Sequence, residues 1–145
     1  MTLWSVQVLP SGTVTIGHRT PDFTREYREA IAEAFSARAV DYVPFMIGNS
    51  YTYTSDPANC HGEVRSLEIV DDGMDAVIEV DREADAAIRV SLTPGGPPFG
   101  AAPCLIENYL HPGGLPFPVV LLRVLGTTQP MITGLRGWQE VEAAR

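Results

Sequence analysis

Long uncharged apolar runs are missing from this sequence. No stretch reaches the roughly 18 residues that a membrane-spanning helix requires. The first residues also lack the basic segment and apolar run of a secretory signal. We therefore expect neither membrane insertion nor secretion.

The sequence also has few residues that could build a disulfide framework, a metal site or a phosphate site. The two cysteines, Cys60 and Cys104, are too few for a disulfide framework and lack metal-ligand spacing. The three histidines do not occur in a metal-binding spacing either. The glycines of residues 93–98 are interleaved with prolines, which lack the N–H groups that cradle a phosphate. These absences predict a reducing compartment, no metal site and no cofactor.

Basic side chains are outnumbered by acidic ones. The 145-residue chain has 10 basic and 18 acidic residues and a net charge of −8, which would repel a phosphate backbone. Direct nucleic-acid binding is therefore not expected. The length and the 45% hydrophobic content fit one domain with one core. We place a single β-rich domain at residues 1–135 and a C-terminal tail, amphipathic around Trp138, at residues 136–145.

One helix is well marked. Thr20 and Pro21 have the residue types of an N-cap and a first helical position. Four apolar side chains follow at helical spacing: Phe23, Tyr27, Ile31 and Phe35. The pattern predicts a helix over residues 21–38. Residues 81–87 can form one or two more helical turns, which lead into a short strand at residues 88–91.

Alternating apolar residues predict strands in most of the remaining chain. An opening hairpin is expected from residues 3–9 and 14–17, and a second hairpin from residues 63–70 and 74–80 around Asp71-Asp72-Gly73. Other predicted elements are strands at 43–47, 104–110 and 119–125, and a Pro- and Gly-rich loop, flexible or in contact with a partner, at 93–103. Many short strands with one main helix indicate an α+β domain, a barrel-like or strongly curved antiparallel sheet with the helix against it.

Ser91 is the best-placed hydroxyl for nucleophilic catalysis, because it ends the predicted strand before a loop. The alternative is a serine that bonds its own backbone, and no Gly-x-Ser-x-Gly elbow surrounds it. His61 adjoins Cys60, but neighbouring residues on a strand point to opposite faces and are poorly placed to share a proton. The residues alone favour the backbone-bonded serine.

Six short segments follow one another in a recognisable order. They are Val43-Pro44-Phe45-Met46-Ile47, Asp56-Pro57, Gly62-Glu63-Val64, Asp71-Asp72-Gly73-Met74-Asp75-Ala76-Val77-Ile78, Val90-Ser91, and Val124-Leu125-Gly126-Thr127-Thr128-Gln129-Pro130 followed by Gly134-Leu135 and Trp138. In this order they resemble the prohead, or capsid maturation, proteases of tailed phages, especially those of actinobacterial phages. The resemblance covers residues 40–140.

The resemblance implies a fold like that of herpesvirus assemblin, a β-barrel flanked by helices, and a serine and a histidine that cleave scaffold or capsid precursors. Ser91 falls at the nucleophile of the family. Tyr53 stands where the family has its histidine, and a phenol with an unperturbed pKa of about 10 is a poor general base at neutral pH. His61, in the next strand, is the candidate substitute base. The chain therefore resembles a catalytically degenerate member in which Ser91 is a relic.

A chain that keeps the family fold but lacks the catalytic histidine is expected to have a structural role. We expect a minor capsid or decoration (cement) protein that stabilises contacts between capsid subunits. The expected partner is the major capsid protein, with a homo-oligomer as a further option. The expected location is the virion, after assembly in the host cytoplasm. Partner contacts are expected from Pro97, Pro98 and Phe99 in the loop and from Trp138.

Two alternatives remain open at this point. The first is an active capsid maturation serine protease, with Ser91 as nucleophile and His61 as base. The second is a non-viral binding domain whose similarity to the phage proteins is accidental.

Overall fold

The structure, a computed structural model, describes residues 1–48, 57–130 and 132–142. The described chain is mixed α/β and rich in strands. The strands are β1 (Thr2–Pro10), β2 (Gly12–Thr13), β3 (Asp22–Phe23), β4 (Pro44–Ile47), β5 (Cys60–Val70), β6 (Gly73–Val80), β7 (Gly100–Leu110), β8 (Pro116–Thr127) and β9 (Gln139–Val141). The helices are α1 (Arg25–Ser36) and α2 (Arg82–Ser91), and a short 3-10 turn spans Pro57–Asn59.

Seven strands form one sheet in the order β7-β8-β4-β5-β6-β1-β9, and β2 pairs with β3. The pair β4–β8 is parallel and the other pairs are antiparallel, so the expected antiparallel sheet is corrected to a mixed one. The parallel partner of β4 is β8, which lies far away in the sequence. The alternation of residues within β4 therefore cannot predict this pairing. β1 also packs against β7, so the sheet is curved, but the described strands leave it open rather than closed into a barrel.

The hairpins were predicted with mixed success. The pairs β5–β6 and β7–β8 confirm the predicted hairpin around Asp71-Asp72-Gly73 and the predicted later strand pair. The prediction of an opening hairpin was wrong, because β1 pairs with β6 on one edge and with β9 on the other. Strand β6 pairs along most of β1, and β9 pairs with its other edge at Leu3–Ser5, so the first half of both edges is taken by strands distant in sequence.

Helix α1 begins later than its pattern predicted. Thr24, and not Thr20, caps it, since the Thr24 hydroxyl accepts the backbone N–H of Tyr27 at 3.1 Å. This bond satisfies one of the donors that the first helical turn leaves free. Phe23, predicted to be helical, lies in β3. The buried side chains of α1 include Ile31, and the helix packs mainly against β8.

Helix α2 is longer than predicted, and the strand expected at residues 88–91 was wrong. Asp81 caps the helix by accepting the N–H of Ala84 at 2.9 Å. Ala84 and Ile88 are fully buried one turn apart, so the helical face that packs on the core continues through the residues predicted as a strand. Ser91 is consequently the last helical residue.

Trp138 belongs to the core. It is 5% exposed, and its ring lies edge-on to Phe45 at 5.7 Å and stacked with Phe99 at 6.0 Å between ring centroids. The indole Nε1 donates a hydrogen bond to the carbonyl oxygen of Phe99 at 2.8 Å. Strand β9 follows directly and pairs with β1. The part of the chain in which the sequence suggested a tail therefore contributes Trp138 to the core and residues 139–141 to the sheet.

Candidate partner-binding surface

Ser91 is half-buried at the end of α2. Its hydroxyl donates a hydrogen bond to the carbonyl oxygen of Ile88 at 2.6 Å. A serine that bonds a carbonyl one turn back satisfies its own hydroxyl within the helix. The geometry is that of the backbone-bonded alternative, and not that of a hydroxyl directed at a substrate.

His61 lies at the start of β5, close to the beginning of α2. Its Nδ1 is 2.9 Å from the Asp81 carboxylate and 3.7 Å from the Glu83 carboxylate, and its side chain is 13% exposed. The other carboxylate oxygen of Asp81 accepts the N–H of Ala84. His61 is thus held at the N-terminal end of α2.

Helix α2 separates the two candidate catalytic residues. Its 10 residues make it about 15 Å long, because each helical residue advances by about 1.5 Å. His61 contacts Asp81, which precedes the first turn, whereas Ser91 is the final residue. A nucleophile and its base must lie within hydrogen-bond reach. The structure does not bring Ser91 and His61 together in this way.

Three further residues were considered for chemistry: Tyr53, Cys60 and Cys104. Tyr53 is outside the described residues, so its substitution for the family histidine stays a prediction. The thiol of Cys60 donates to the carbonyl oxygen of Gly62 at 3.6 Å. Burial raises the pKa of the Cys104 thiol, which disfavours the reactive thiolate. Within the described ranges, no three His, Cys, Asp or Glu side chains could together hold a metal ion.

Replacing Ser91 with alanine is expected to have little effect. The substitution removes one local hydrogen bond but leaves a residue with high helix propensity, so the free energy of unfolding should change by less than about 1 kcal/mol. Urea denaturation monitored by circular dichroism measures the change. Specific fragments of a capsid precursor that form with the unchanged chain and disappear with Ser91→Ala would contradict this interpretation.

Charge is distributed unevenly along the chain. Residues 90–122, called here the neutral segment, contain one charged residue, Glu107, although the chain has 10 basic and 18 acidic residues in all. Among residues 1–48, 57–130 and 132–142, seven large hydrophobic side chains are exposed, and five of them lie in this segment: Val90, Leu92, Ile106, Leu110 and Leu115. An exposed apolar surface that lacks charge is typical of the central part of a binding interface.

The first part of this surface is the helix-exit patch, formed by Val90, Leu92, Pro97 and Pro98. All four are exposed. The Thr93 hydroxyl donates to the carbonyl oxygen of Val90 at 2.6 Å, and the N–H of Gly96 donates to the carbonyl oxygen of Thr93 at 2.9 Å. A Cβ atom at Gly96 would overlap the Val90 carbonyl oxygen, so glycine permits the close turn. The loop therefore presents the patch in a hydrogen-bonded turn.

Two of the residues predicted to contact a partner face inward instead. Phe99 is half-buried and stacks on Trp138, and Trp138 is almost fully enclosed. The expectation that Trp138 offers a partner contact is corrected, because Phe45 and Phe99 cover its ring. Pro97 and Pro98 are exposed, and their contact with a partner stays a prediction.

The second part is the hairpin patch, formed by Ile106, Leu110 and Leu115 in β7 and in the turn before β8. The side chains of Leu110 and Leu115 are 66% and 63% exposed. Glu107, the one charged residue of the neutral segment, accepts a hydrogen bond from the Tyr27 hydroxyl at 3.3 Å. Burial, and then the charge of Glu107, raise the pKa of Tyr27 to about 12, so the phenol remains a neutral donor at physiological pH.

The exposed apolar residues were not singled out from the sequence, although the absence of charge between Arg89 and Arg123 is a signal that could have located them. No protein-family model, curated protein or solved structure matches the chain. No helix of the described chain has both the length and the apolarity needed to cross a membrane. The arrangement of the described residues favours binding through apolar contacts over bond-making chemistry.

Proposed function

We propose that the chain is a structural component of a phage capsid, a minor capsid or decoration protein that binds the major capsid protein and stabilises contacts between capsid subunits. It acts in the virion, after assembly in the host cytoplasm. The observation that carries the proposal is the helix-exit patch, an exposed apolar surface on an ordered turn within the neutral segment.

The position of the patch supports a binding role. Val90 and Leu92 are 51% and 52% exposed and flank Ser91, the residue that the family resemblance marks as a relic nucleophile. Apolar side chains at this exposure become favourable contacts when a partner removes them from water. The hydrogen bonds of Thr93 hold the turn in the unbound chain, which reduces the conformational entropy lost on docking.

The curved sheet with helices packed on it supports the further proposal that the fold is related to the prohead proteases. The protease alternative requires a base within reach of Ser91. His61 interacts with Asp81 at the opposite end of α2, so the placement of Ser91 and His61 does not favour that activity. We therefore propose a scaffold that is retained for its surface and not for hydrolysis.

Binding to empty particles assembled from the major capsid protein tests the proposal. The unchanged chain should sediment with the particles, and Leu92→Glu should weaken binding by about tenfold or more, because a carboxylate would lose its hydration at the contact. The bound fraction at increasing chain concentration, measured after sedimentation, gives the affinity of each variant.

Tyr42→Glu is the matched control. Tyr42 is 55% exposed, close to the exposure of Leu92, but lies outside the neutral segment. This variant should bind the particles as the unchanged chain does. Failure of the unchanged chain to sediment with the particles, or equal losses for the two variants, would overturn the proposal. Cleavage of a capsid precursor would favour the protease alternative.

A further inference from the structure

We propose that Pro97 and Pro98, called here the proline ridge, dock into a groove of the major capsid protein that is lined by tyrosine or tryptophan side chains. The proposal rests on the proposed function and specifies the chemistry of the partner at the helix-exit patch. It follows from the backbone conformation that two successive prolines impose and from the contacts that fix the residues on both sides of them.

The conformation of the proline ridge follows from its covalent chemistry. The pyrrolidine ring holds φ of each proline at about −65°. The ring of Pro98 also disfavours helical backbone at Pro97 and directs that residue to the extended, polyproline II region. In the structure, residues 96–99 belong to no helix or strand. The ridge therefore has the backbone of a polyproline II segment before any partner binds.

Contacts on both sides hold the ridge in place. On one side, the N–H of Gly96 donates to the carbonyl oxygen of Thr93 at 2.9 Å. On the other side, the carbonyl oxygen of Phe99 accepts the indole N–H of Trp138 at 2.8 Å, and the two rings stack. Both prolines between these contacts are exposed. The ridge is thus a short exposed segment with fixed ends, so little conformational entropy is lost when it docks.

Three common modes of recognising a short segment do not suit the ridge. Strand addition requires main-chain N–H donors, which prolines lack. Insertion of a helix into a groove requires helical residues, and residues 96–99 are not helical. Recognition through charge requires an ionised side chain, and the nearest ones along the chain are Arg89 and Glu107. Docking of a polyproline II segment in an aromatic-lined groove suits its conformation and its lack of charge.

The same backbone indicates which aromatic residues line the groove. A polyproline II segment forms no internal hydrogen bonds, so its carbonyl oxygens can accept a hydrogen bond from a partner. Tyrosine and tryptophan offer an apolar ring face for the pyrrolidine rings and an O–H or N–H donor for a carbonyl oxygen. Phenylalanine offers the ring face alone. The groove should therefore contain tyrosine or tryptophan.

Binding of variants to empty particles of the major capsid protein tests the role of the ridge. Pro97→Ala and Pro98→Ala should each raise the dissociation constant by about fivefold, because alanine lacks both the fixed φ and most of the ring surface. Both positions are exposed, so circular dichroism should show unchanged folding. Pro112→Ala is the matched control, since Pro112 is an exposed proline of another turn and has no proline beside it. It should bind as the unchanged chain does.

Hydroxyl-radical footprinting of the particles, read by mass spectrometry, tests the chemistry of the groove. Binding of the unchanged chain should protect tyrosine or tryptophan side chains of the major capsid protein from oxidation. The double variant Pro97→Ala/Pro98→Ala, compared at the same bound fraction, should leave those side chains reactive.

The outcomes separate this contact from the capsid role itself. If Leu92→Glu weakens binding but Pro97→Ala and Pro98→Ala do not, the proline ridge is overturned as a contact and the proposed function stands. Protection confined to aliphatic or charged side chains, or an equal loss for Pro112→Ala, overturns it as well. An unchanged chain that does not sediment with the particles overturns both.

Discussion

A chain that ends after Gly134 should lose most of its stability. The truncation removes Trp138, whose ring packs against Phe45 and Phe99, and it also removes β9, which pairs with β1. Loss of a buried tryptophan side chain alone costs about 3–5 kcal/mol. Because domains of this size have a free energy of unfolding of about 5–15 kcal/mol, the truncated chain should be largely unfolded or close to unfolding at 37 °C.

The same truncation removes a surface ion-pair cluster. Arg136 lies 2.8 Å from the Asp72 carboxylate and 3.0 Å from the Asp75 carboxylate. The hydrogen bond from Arg136 holds the pKa of Asp72 below its ordinary value. Solvent screens exposed pairs of this kind, so they contribute less than the buried ring of Trp138.

Single substitutions separate the two contributions. Trp138→Ala should reproduce most of the loss seen on truncation, whereas Arg136→Ala should cause a much smaller one. Urea denaturation monitored by far-ultraviolet circular dichroism gives the free energy of unfolding of each variant. A truncated chain that unfolds at the same urea concentration as the full chain would contradict the assignment of Trp138 to the core and of β9 to the sheet.

Arg28→Ala should lower the free energy of unfolding by about 3 kcal/mol. Arg28 is 5% exposed. Its guanidinium donates to the carbonyl oxygens of Phe23 at 3.3 Å, Val70 at 2.9 Å and Gly73 at 2.8 Å. These bonds tie α1 to β3 and to the turn between β5 and β6. Without the side chain, buried carbonyl groups lose their donor.

Arg25→Ala is the matched control on the same helix. Arg25 is exposed and pairs with Glu29 one turn away at 2.9 Å, an arrangement that contributes at most about 0.5 kcal/mol. Arg28→Lys should recover little of the lost stability, because one ammonium group cannot reach the three carbonyl oxygens that the guanidinium contacts. Similar losses for Arg25→Ala and Arg28→Ala in urea denaturation would refute the structural role of Arg28.

Local patterns determined the elements whose partners are close in sequence. The turn Asp71-Asp72-Gly73 joins two alternating stretches, and β5 and β6 pair as that pattern predicted. The later pair, β7 and β8, was found for the same reason. In both cases the strands meet through a short connection, so residue type and alternation carry the necessary information.

The candidate site was only partly accessible to sequence reasoning. The interpretation of Ser91 as a backbone-bonded residue agrees with its contact to Ile88. The predicted partner contacts divide into the exposed prolines, Pro97 and Pro98, and the enclosed Trp138. The local sequence around Trp138 does not reveal whether its ring is exposed or buried. Its burial depends on the rings of Phe45 and Phe99, which are distant in sequence.

The sequence by itself determined that the chain is acidic and rich in strands, where the β5–β6 and β7–β8 turns lie, and that residues 90–122 carry almost no charge. Tertiary structure decided the features that depend on distant residues. Burial of Ala84 and Ile88 makes residues 88–91 helical, pairing with β6 and β9 removes β1 from the opening hairpin, and Phe45 and Phe99 enclose Trp138. The physical reason is that local propensities differ by about 1 kcal/mol or less per residue, whereas burial of a large side chain contributes several times as much.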